Sequence, residues 1–499
     1  MPVTVSQSLS RNLQWLEKRL NLKESDDYVQ RSFTALGQDC SLIYLEGLTD
    51  GSALSEFVLR PLLRATEVLT GSDARMLAMN RLIEATSLRV EADLEEAAKE
   101  IMNGQVALLM DTVPEAVLLE LRRYVHRPIS NPISESVVDG PHEAFNEVLR
   151  DNLTLLHRKL KSPLLVCKLF SVGKVIPTQV ALCYMDGVCP QETVQELLHR
   201  LEAVNADVVQ SGGELQQLIE DNPYDLLPQA LSTERPDRVV SFLLEGQAAL
   251  LVDGSPQALA MPVGFWHVFH APDDHSSRWQ QGTFMRLVRF LGIFFAVLFP
   301  ALFVTLVVYH PGALPMTLIT SIMESRTVVP ISLFGEAFLM QTVFNLINEA
   351  HTRVPGMMGS SLGLVSALIL GSAAVEASLI SPLLIIIVAL SGLGTFSFPN
   401  YSVSFAFRIM QLLLLLAGWI MGLAGVLLCS LLFLCRIAGM TSLGAPYLAP
   451  RSPYREHNPD LLVRKPTFRQ RLHSYLAQPS NASRSQGPMR GFFPGKERK

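Results

Sequence analysis

Cysteine is scarce in this 499-residue chain, and its six cysteines include no C-x-x-C pair. Neither a disulfide framework nor a clustered-thiolate zinc site is expected, and no metal or other cofactor is predicted. The chain also lacks a Walker phosphate-binding loop and a G-x-G-x-x-G string, so it has no recognisable nucleotide-binding motif of the kind that drives ATP-dependent transport. The first 60 residues contain no uninterrupted apolar stretch of the secretory type, so we expect the N-terminal half to stay in the cytosol.

Charge is almost absent from residues 290–435, which hold three Lys+Arg and four Asp+Glu. Residues 1–289 hold 26 and 39, a net charge of −13, whereas residues 436–499 hold 12 and 3, a net charge of +9. The total of −5 therefore combines an acidic half, an apolar block and a basic tail. The near-neutral total argues against a nucleic-acid partner. The apolar block indicates a lipid bilayer as its solvent.

Four stretches without charge predict four membrane-spanning helices, at residues 290–308, 354–375, 377–400 and 409–435. The segment 330–350 carries two glutamates, so we interpret it as an amphipathic or re-entrant helix rather than a fifth span. Arginines precede the first span and follow the last, which predicts a cytoplasmic location for both ends. They are Arg278, Arg286, Arg289, Arg436, Arg451 and Arg455.

The acidic half contains an internal repeat. Residues 41–50 (SLIYLEGLTD) match residues 181–190 (ALCYMDGVCP), and residues 103–119 match residues 245–261 through a shared G-Q-x-A-L-L-x-D string. Each copy contains short apolar runs that end in turn residues, as strands do, and the first copy has an amphipathic helix, LEEAAKEIM. The repeat predicts two tandem α/β subdomains.

The predicted fold is a multi-pass α-helical membrane protein with an N-terminal cytosolic α/β region made of two repeated subdomains. The expected division is a first subdomain at 1–125, a helical linker at 126–164 and a second subdomain at 165–280. A membrane domain of about four spans follows at 281–440, and a basic cytosolic tail at 441–499 completes the chain.

Small residues recur every four positions in the second predicted span, a spacing that lets helices approach closely. One interpretation is helix packing within a single subunit. The other is a helix that packs around an oligomer axis and lines a pore, with apolar gates and hydroxyl groups that solvate an ion. The candidates are Gly359, Leu362, Gly363, Val365, Ser366, Ala367 and Gly371. Glu376, between the second and third spans, is either a loop residue or part of an ion-attracting ring.

The string Gly359-Ser360-Ser361-Leu362-Gly363 also fits the G-x-S-x-G nucleophile elbow. That elbow needs a strand–turn–helix context and a histidine base, and no histidine occurs between His351 and His457. We therefore predict that the protein is not an enzyme and has no catalytic residues.

Several ordered motifs resemble the GerA spore germination family, which comprises A subunits of germinant receptors and SpoVAF-type proteins. The segment 131–152 resembles a family motif in which Glu135, Gly140, Pro141, Phe145 and Glu147 match. Further matches are STERPDRV (232–239), YHPGALP (309–315), NEAHTRVP (348–355), GSAAVEASLISP (371–382) and GAPYLAP (444–450). Asp139 stands where the family usually has arginine, and Ala144 where it has glycine.

The resemblance implies a multi-pass protein of the inner spore membrane that assembles as a homo-oligomeric ion channel and releases monovalent cations when a nutrient is sensed. It also implies partners, namely the transporter-like B subunit and lipoprotein C subunit of a germinant receptor, or another germination membrane protein. A SpoVAF-type accessory channel and a non-conducting scaffold for receptor subunits are the alternative interpretations. A secondary transporter is less favoured, because the repeat lies in the soluble half and not in the membrane block.

Overall fold

The computed structural model describes residues 3–69, 71–85, 87–122, 132, 135, 140–353, 371–454 and 461–470. Its N-terminal half, which we call the soluble half, contains two α/β units. Each unit has one five-stranded antiparallel sheet, and the two sheets have the same strand order. The first sheet, in the order β1-β2-β4-β5-β3, comprises β1 (Tyr28–Ala35), β2 (Gln38–Leu45), β3 (Leu88–Glu91), β4 (Val106–Met110) and β5 (Ala116–Leu119). The second, in the order β6-β7-β9-β10-β8, comprises β6 (Leu165–Val172), β7 (Thr178–Met185), β8 (Leu231–Thr233), β9 (Ala248–Val252) and β10 (Ala258–Met261).

Helices cover both faces of each sheet. On the first sheet, α1 (Leu9–Arg19) and α2 (Leu94–Met102) bury one face, and short helical segments between residues 51 and 82 bury the other. These segments are Gly51–Leu54, Ser55–Leu59, Arg60–Arg64, Ser72–Leu77 and Ala78–Leu82. On the second sheet, α3 (Leu149–Lys159) and α6 (Pro236–Leu244) lie opposite α4 (Gln191–Ala203) and α5 (Gly212–Ile219). The predicted α/β repeat is confirmed.

The repeat includes a helix that the sequence comparison left out. The side chain of Asn12 on α1 accepts a hydrogen bond from the Ser6 backbone N–H at 2.8 Å and donates one to the Ser6 carbonyl at 2.6 Å. Asn152 on α3 makes the same pair of bonds with the backbone of Asn146, at 2.8 and 2.7 Å. Both asparagines are fully buried, so each fixes the chain that enters its helix.

The aspartate of the G-Q-x-A-L-L-x-D string caps that same helix in each unit. The Asp111 carboxylate accepts a hydrogen bond from the Leu9 N–H at 3.0 Å, and the Asp253 carboxylate accepts one from the Leu149 N–H at 3.0 Å. A carboxylate satisfies the unpaired N–H groups at a helix N-terminus and favours the positive end of the helix dipole. The helix within the predicted linker, 126–164, therefore packs as the first element of the second unit.

An α-helical bundle follows the soluble units. Its helices are α7 (Trp279–Tyr309), α8 (Met316–Arg326), α9 (Leu333–Arg353), α10 (Pro382–Phe396) and α11 (Tyr401–Gly439). Before α7, two short helices occupy Phe265–Phe269 and Asp273–Ser276. Among the described residues, α7 and α11 are long and apolar enough to cross a membrane, with mean hydropathies of 2.7 and 2.5. The predicted span at 377–400 corresponds to the 15-residue α10, and 354–370 of the second predicted span lies outside the described residues.

The chain reverses direction inside α11, at Gly422, which has φ 63° and ψ −146°. An added Cβ on Gly425 would lie 2.1 Å from the Ala417 carbonyl oxygen, so the helical arms 401–421 and 423–439 pack against each other. The start of the first arm and the end of the second arm both lie near Asp225. Arg436 forms an ion pair with Asp225, and Tyr401 lines a groove with the same aspartate. The prediction of one continuous span at 409–435 is therefore wrong, because the glycine permits a hairpin of two helical arms.

Contacts between the helices distinguish two ends of the bundle. We call the end near the soluble units the junction end, and the end that contains Tyr309 and Gly422 the far end. Phe334, near the start of α9, stacks on Trp419 at 4.5 Å between ring centroids at the far end. Ten residues along α9, the Phe344 ring occupies the space beside Gly392 in α10. The glycine-to-glycine contact of α7 and α10 lies toward the junction end, where an added Cβ on Gly394 would meet the Gly292 carbonyl at 2.5 Å.

Candidate functional site at the junction of the soluble units and the bundle

A buried carboxylate joins the second soluble unit to the first bundle helix. Asp274 is 1% exposed, and it accepts hydrogen bonds from Arg286 Nε at 3.1 Å and from Arg289 Nη1 and Nη2 at 2.7 and 3.0 Å. Burial opposes ionisation of Asp274, but the hydrogen bonds and positive charges of Arg289 and Arg286 outweigh it and hold the carboxyl pKa below its usual range. The carboxylate is therefore ionised and fixes the orientation of α7.

A segment of the C-terminal tail completes this arrangement. The Leu461 carbonyl accepts a hydrogen bond from Arg286 Nη1 at 2.9 Å and lies 3.0 Å from His270 Nε2. Arg464 Nη1 donates to the carbonyls of Asp274 and Ser277. Because carbonyl oxygens of the tail satisfy guanidinium groups that α7 buries, the tail, the second unit and α7 share one polar network.

The linker motif contacts the same region. Glu135 is buried, and its carboxylate pairs with Arg238 and accepts a hydrogen bond from Thr233 Oγ1 at 2.6 Å. The Glu135 carbonyl accepts a bond from Arg235 Nη1 at 3.3 Å. Arg238 also donates to the His270 carbonyl at 2.9 Å, which connects the linker to the segment that leads to Asp274.

The other predicted motif residues hold the linker against the second unit. The Phe145 side chain is buried beneath α3, and its N–H donates to the Glu234 carbonyl at 2.8 Å. The Glu147 carbonyl accepts a hydrogen bond from the Gly254 N–H at 2.7 Å. Gly140 has a φ of 142°, a conformation that favours glycine, and Pro141 follows it in a segment without regular structure. The structure thus brings Glu135, Phe145 and Glu147 onto one unit.

A second contact ties the end of α11 to the soluble half. Asp221 accepts hydrogen bonds from Arg200 Nη1 at 2.6 Å, Thr441 Oγ1 at 2.5 Å, and the N–H groups of Leu443 and Gly444 at 3.2 and 3.3 Å. Burial raises the pKa of the Asp221 carboxyl. The hydrogen bonds and the Arg200 charge lower that pKa by a larger amount, so it lies below its usual range. Residues 441–446 form a two-stranded hairpin of β11 (Thr441–Ser442) and β12 (Ala445–Pro446) at this contact.

Apolar side chains fill the space between the two polar contacts. Phe269 stands at the centre, with ring centroids 5.5 Å from Phe290 of α7 and 6.0 Å from Phe407 of α11. Tyr447 is fully buried beside them, and its hydroxyl donates to the Pro228 carbonyl at 2.9 Å. The junction is therefore a packed core with ionic contacts at both sides, an arrangement suited to transmitting a displacement of the soluble unit to α7 and α11.

Polar groups are also buried inside the bundle. Glu336 is fully buried, pairs with Arg326 at 3.0 Å, and accepts hydrogen bonds from both the N–H and the hydroxyl of Ser381 at 3.0 Å. Nearer the middle, Gln411 Nε2 donates to Gln341 Oε1 at 3.0 Å and to Ser391 Oγ at 2.7 Å. Ionisable groups in an apolar bundle are costly unless they are paired, and Glu336 is paired here.

The predicted pore and packing residues are only partly described. Gly359, Leu362, Gly363, Val365, Ser366 and Ala367 lie outside the described residues. Gly371 is the first described residue of a helical segment that ends at residue 376, and no described atom lies within 4 Å of an added Cβ. Glu376 ends that segment and is exposed. The structure does not bring these two residues into contact with the junction.

Sequence reasoning did not predict Asp274, Asp221 or Arg238 as functional residues. Arg286 and Arg289 served only as markers of orientation, although buried arginines need a partner and the P-D-D string at 272–274 lies close by in sequence. Arg238 belongs to the quoted motif STERPDRV, but nothing local indicated that its partner, Glu135, lies 103 residues away.

The sequence is similar to a protein family and to several curated proteins. The family model described as "Bacillus/Clostridium GerA spore germination protein" matches residues 14–475. The chain is 33% identical over 466 residues to spore germination protein B1 of Bacillus subtilis (strain 168), covering 93% of this chain and 96% of that protein. It is 35% identical over 414 residues to spore germination protein GerLA of Bacillus cereus, covering 83% and 84%.

Among solved structures, the chain is similar to the N-terminal domain of the A subunit of the Bacillus megaterium spore germinant receptor GerK3. That match has a TM-score of 0.42 and 25% identity, and it covers 53% of this chain and 98% of that one. The family model spans both soluble units and the bundle, and several curated relatives exceed 30% identity over most of their length. This chain belongs to the GerA family of spore germination proteins.

Proposed function

We propose that this protein is the A subunit of a nutrient germinant receptor in the inner spore membrane, and that it forms a homo-oligomeric channel for monovalent cations. In this proposal it crosses the membrane several times, keeps both ends on the cytoplasmic side and catalyses no reaction. Its partners are the receptor's B and C subunits. Family membership supports the role in germination, and the apolar helix α7 and the apolar helical hairpin of α11 support the membrane location.

The observation that carries the channel proposal is the Asp274 network, because it connects the soluble half rigidly to α7. A displacement of the second soluble unit would move Asp274, and Asp274 pairs with the buried Arg286 and the partly buried Arg289 on α7. The pore is proposed to lie along the small-residue helix, with Leu362 and Val365 as its gate and Glu376 as an exposed acidic group near its mouth.

The test is cation efflux from vesicles that contain the purified full-length protein. Leu362→Ala and Val365→Ala enlarge the proposed gate, so we expect each to raise rubidium efflux several-fold. Leu432→Ala, at an exposed position on α11, is the matched control and is expected to leave efflux unchanged. Unchanged efflux across all small-face and gate variants would favour the alternative of a non-conducting scaffold. Germination that survives replacement of residues 290–435 by another membrane anchor would also favour the non-conducting scaffold.

A SpoVAF-type accessory channel is the second candidate. One relative, 30% identical over 486 residues, is the uncharacterized membrane protein YfkQ of Bacillus subtilis, so the similarity is not confined to proteins named for germination. Co-purification separates the candidates: an A subunit is expected to retain a transporter-like B subunit through detergent extraction.

A further inference from the structure

Three potential metal ligands meet in the seam between the two soluble units. Asp27, at the entry to β1, belongs to the first unit, whereas His157 on α3 and Cys167 on β6 belong to the second. All three side chains are buried, at 5%, 5% and 0% exposure. This cluster could not be predicted from the sequence, because its members lie far apart in the chain and form no recognised spacing.

The distances in the cluster approach those of a tetrahedral zinc site. Asp27 Oδ2 lies 2.8 Å from His157 Nε2, and Cys167 Sγ lies 3.9 Å from the same nitrogen. The three ligand atoms all lie within 4.8 Å of one another. Zinc bonds of about 2.0–2.3 Å to oxygen, nitrogen and sulfur place tetrahedral ligands about 3.2–3.8 Å apart. Side-chain movements of less than about 1 Å would therefore admit the ion.

A fourth ligand is available next to the cluster. Cys183 lies directly opposite Cys167 in the antiparallel register of β6 and β7, so the two thiols share one face of the sheet. Cys183 is also fully buried. A rotation of the Cys183 side chain would complete an Asp–His–Cys–Cys set.

The backbone around the cluster holds the ligands in place. The Asp26 N–H donates to the Cys167 carbonyl at 3.0 Å, and the Cys167 N–H donates to Ser25 Oγ at 3.3 Å. The Leu169 N–H donates to the Asp26 carboxylate at 2.8 Å. The segment that carries Asp27 is thus attached along β6, so a metal would enter a preorganised seam.

The donor set also selects among metals. One imidazole, one carboxylate and one or two thiolates suit zinc, whereas magnesium and calcium prefer oxygen ligands alone. Without a metal, an ordinary cysteine side chain is mainly a protonated thiol at neutral pH. Zinc would displace that proton to solvent and form a Zn–S bond, as zinc does with coordinating thiols.

We propose that Asp27, His157 and Cys167, with Cys183 as the fourth ligand, bind one zinc ion that fastens the two soluble units together. This site is independent of the proposed channel activity. Its ligands come from both units, Asp27 from the first and His157 and Cys167 from the second. Zinc binding would fix the angle between the units.

The test measures zinc in the purified full-length protein by mass spectrometry, and replaces zinc with cobalt as a spectroscopic probe. We expect one zinc per chain, and a near-ultraviolet sulfur-to-cobalt charge-transfer band that reports thiolate ligands. Cys167→Ser and His157→Gln should each lower zinc affinity by about 100-fold or more, since each removes a ligand. Cys189→Ser, a buried thiol of the same unit outside the cluster, should change neither quantity.

A second measurement protects the test against variants that fail to fold. A chelator should lower the thermal unfolding midpoint of the wild-type chain, and added zinc should restore it, because zinc binds the folded state. Wild-type protein without stoichiometric zinc after zinc supplementation, or cobalt protein without a thiolate band, would overturn the proposal. So would a disulfide between Cys167 and Cys183 in freshly purified protein.

Discussion

The Asp274 carboxylate contacts the Arg289 guanidinium through two hydrogen bonds, of 2.7 and 3.0 Å, in a buried position before α7. Paired bonds between a carboxylate and a guanidinium are strong and directional. Arg286, which is 2% exposed, depends on the same carboxylate for one of its bonds. Asp274 therefore pairs with two cationic side chains at the point where the chain passes from the soluble half to the bundle.

We expect Asp274→Asn to destabilise the full-length protein by about 3–5 kcal/mol, because it leaves buried arginine charge without its partner. The measurement is the thermal unfolding midpoint in detergent. Asp207→Asn, which changes an exposed aspartate of the same unit, is the matched control and should shift the midpoint little. Equal effects of the two substitutions would mean that the Asp274 network contributes no stability.

The pair of Glu135 and Arg238 provides a second prediction. Either Glu135→Gln or Arg238→Met leaves one charge of a buried pair uncompensated, and each should cost about 3–5 kcal/mol. The double variant should cost clearly less than the sum of the two, since the partners contact each other. The double-mutant cycle, measured by unfolding of the full-length chain, would contradict the pairing if the two costs simply added.

The two units were predictable because their signals are local. The string G-Q-x-A-L-L-x-D combines a buried strand with the aspartate that caps the first helix of the same unit, so one short segment encodes both strand and cap. Strands such as β3 and β5 were not identified individually, since four-residue strands lack enough alternation to be distinguished from loops.

The junction could not be predicted for the opposite reason. Glu135 and Arg238 are 103 residues apart, and Asp221 meets residues 220 or more positions later in the chain. A contact between residues so far apart in the chain produces no periodic pattern in the sequence. The hairpin of α11 was not predicted because residues 409–435 have the length of a single tilted span. A glycine within an apolar segment does not by itself indicate that the chain reverses direction.

Acid should loosen the contact between α11 and the soluble half. The Asp221 pKa is lowered in the folded state, so its contribution to stability is complete above the unfolded pKa of about 3.9 and is lost as the pH falls through the folded value. The expected result is a fall in the unfolding midpoint of the wild-type chain below about pH 4. Asp221→Asn should be less stable at neutral pH and should show a weaker fall, whereas Asp207→Asn should follow the wild type.

Gly422 supports the last prediction, because its conformation and its surroundings both exclude a side chain. An added Cβ would lie 3.2 Å from the Tyr309 ring, and a φ of 63° with a ψ of −146° is strained for any residue with a Cβ. Gly422→Ala should therefore cost about 1–3 kcal/mol in the thermal unfolding of the full-length protein.

Gly439 is the matched control for that substitution, since it ends the same helix and has no described atom within 4 Å of an added Cβ. Gly439→Ala should be neutral or stabilise the protein by up to about 1 kcal/mol, because alanine favours helix. A straight α11 would remove this difference, since alanine would then be tolerated at both positions. The comparison of the two variants thus tests whether the last apolar segment crosses the bundle once or turns back at the Tyr309 ring.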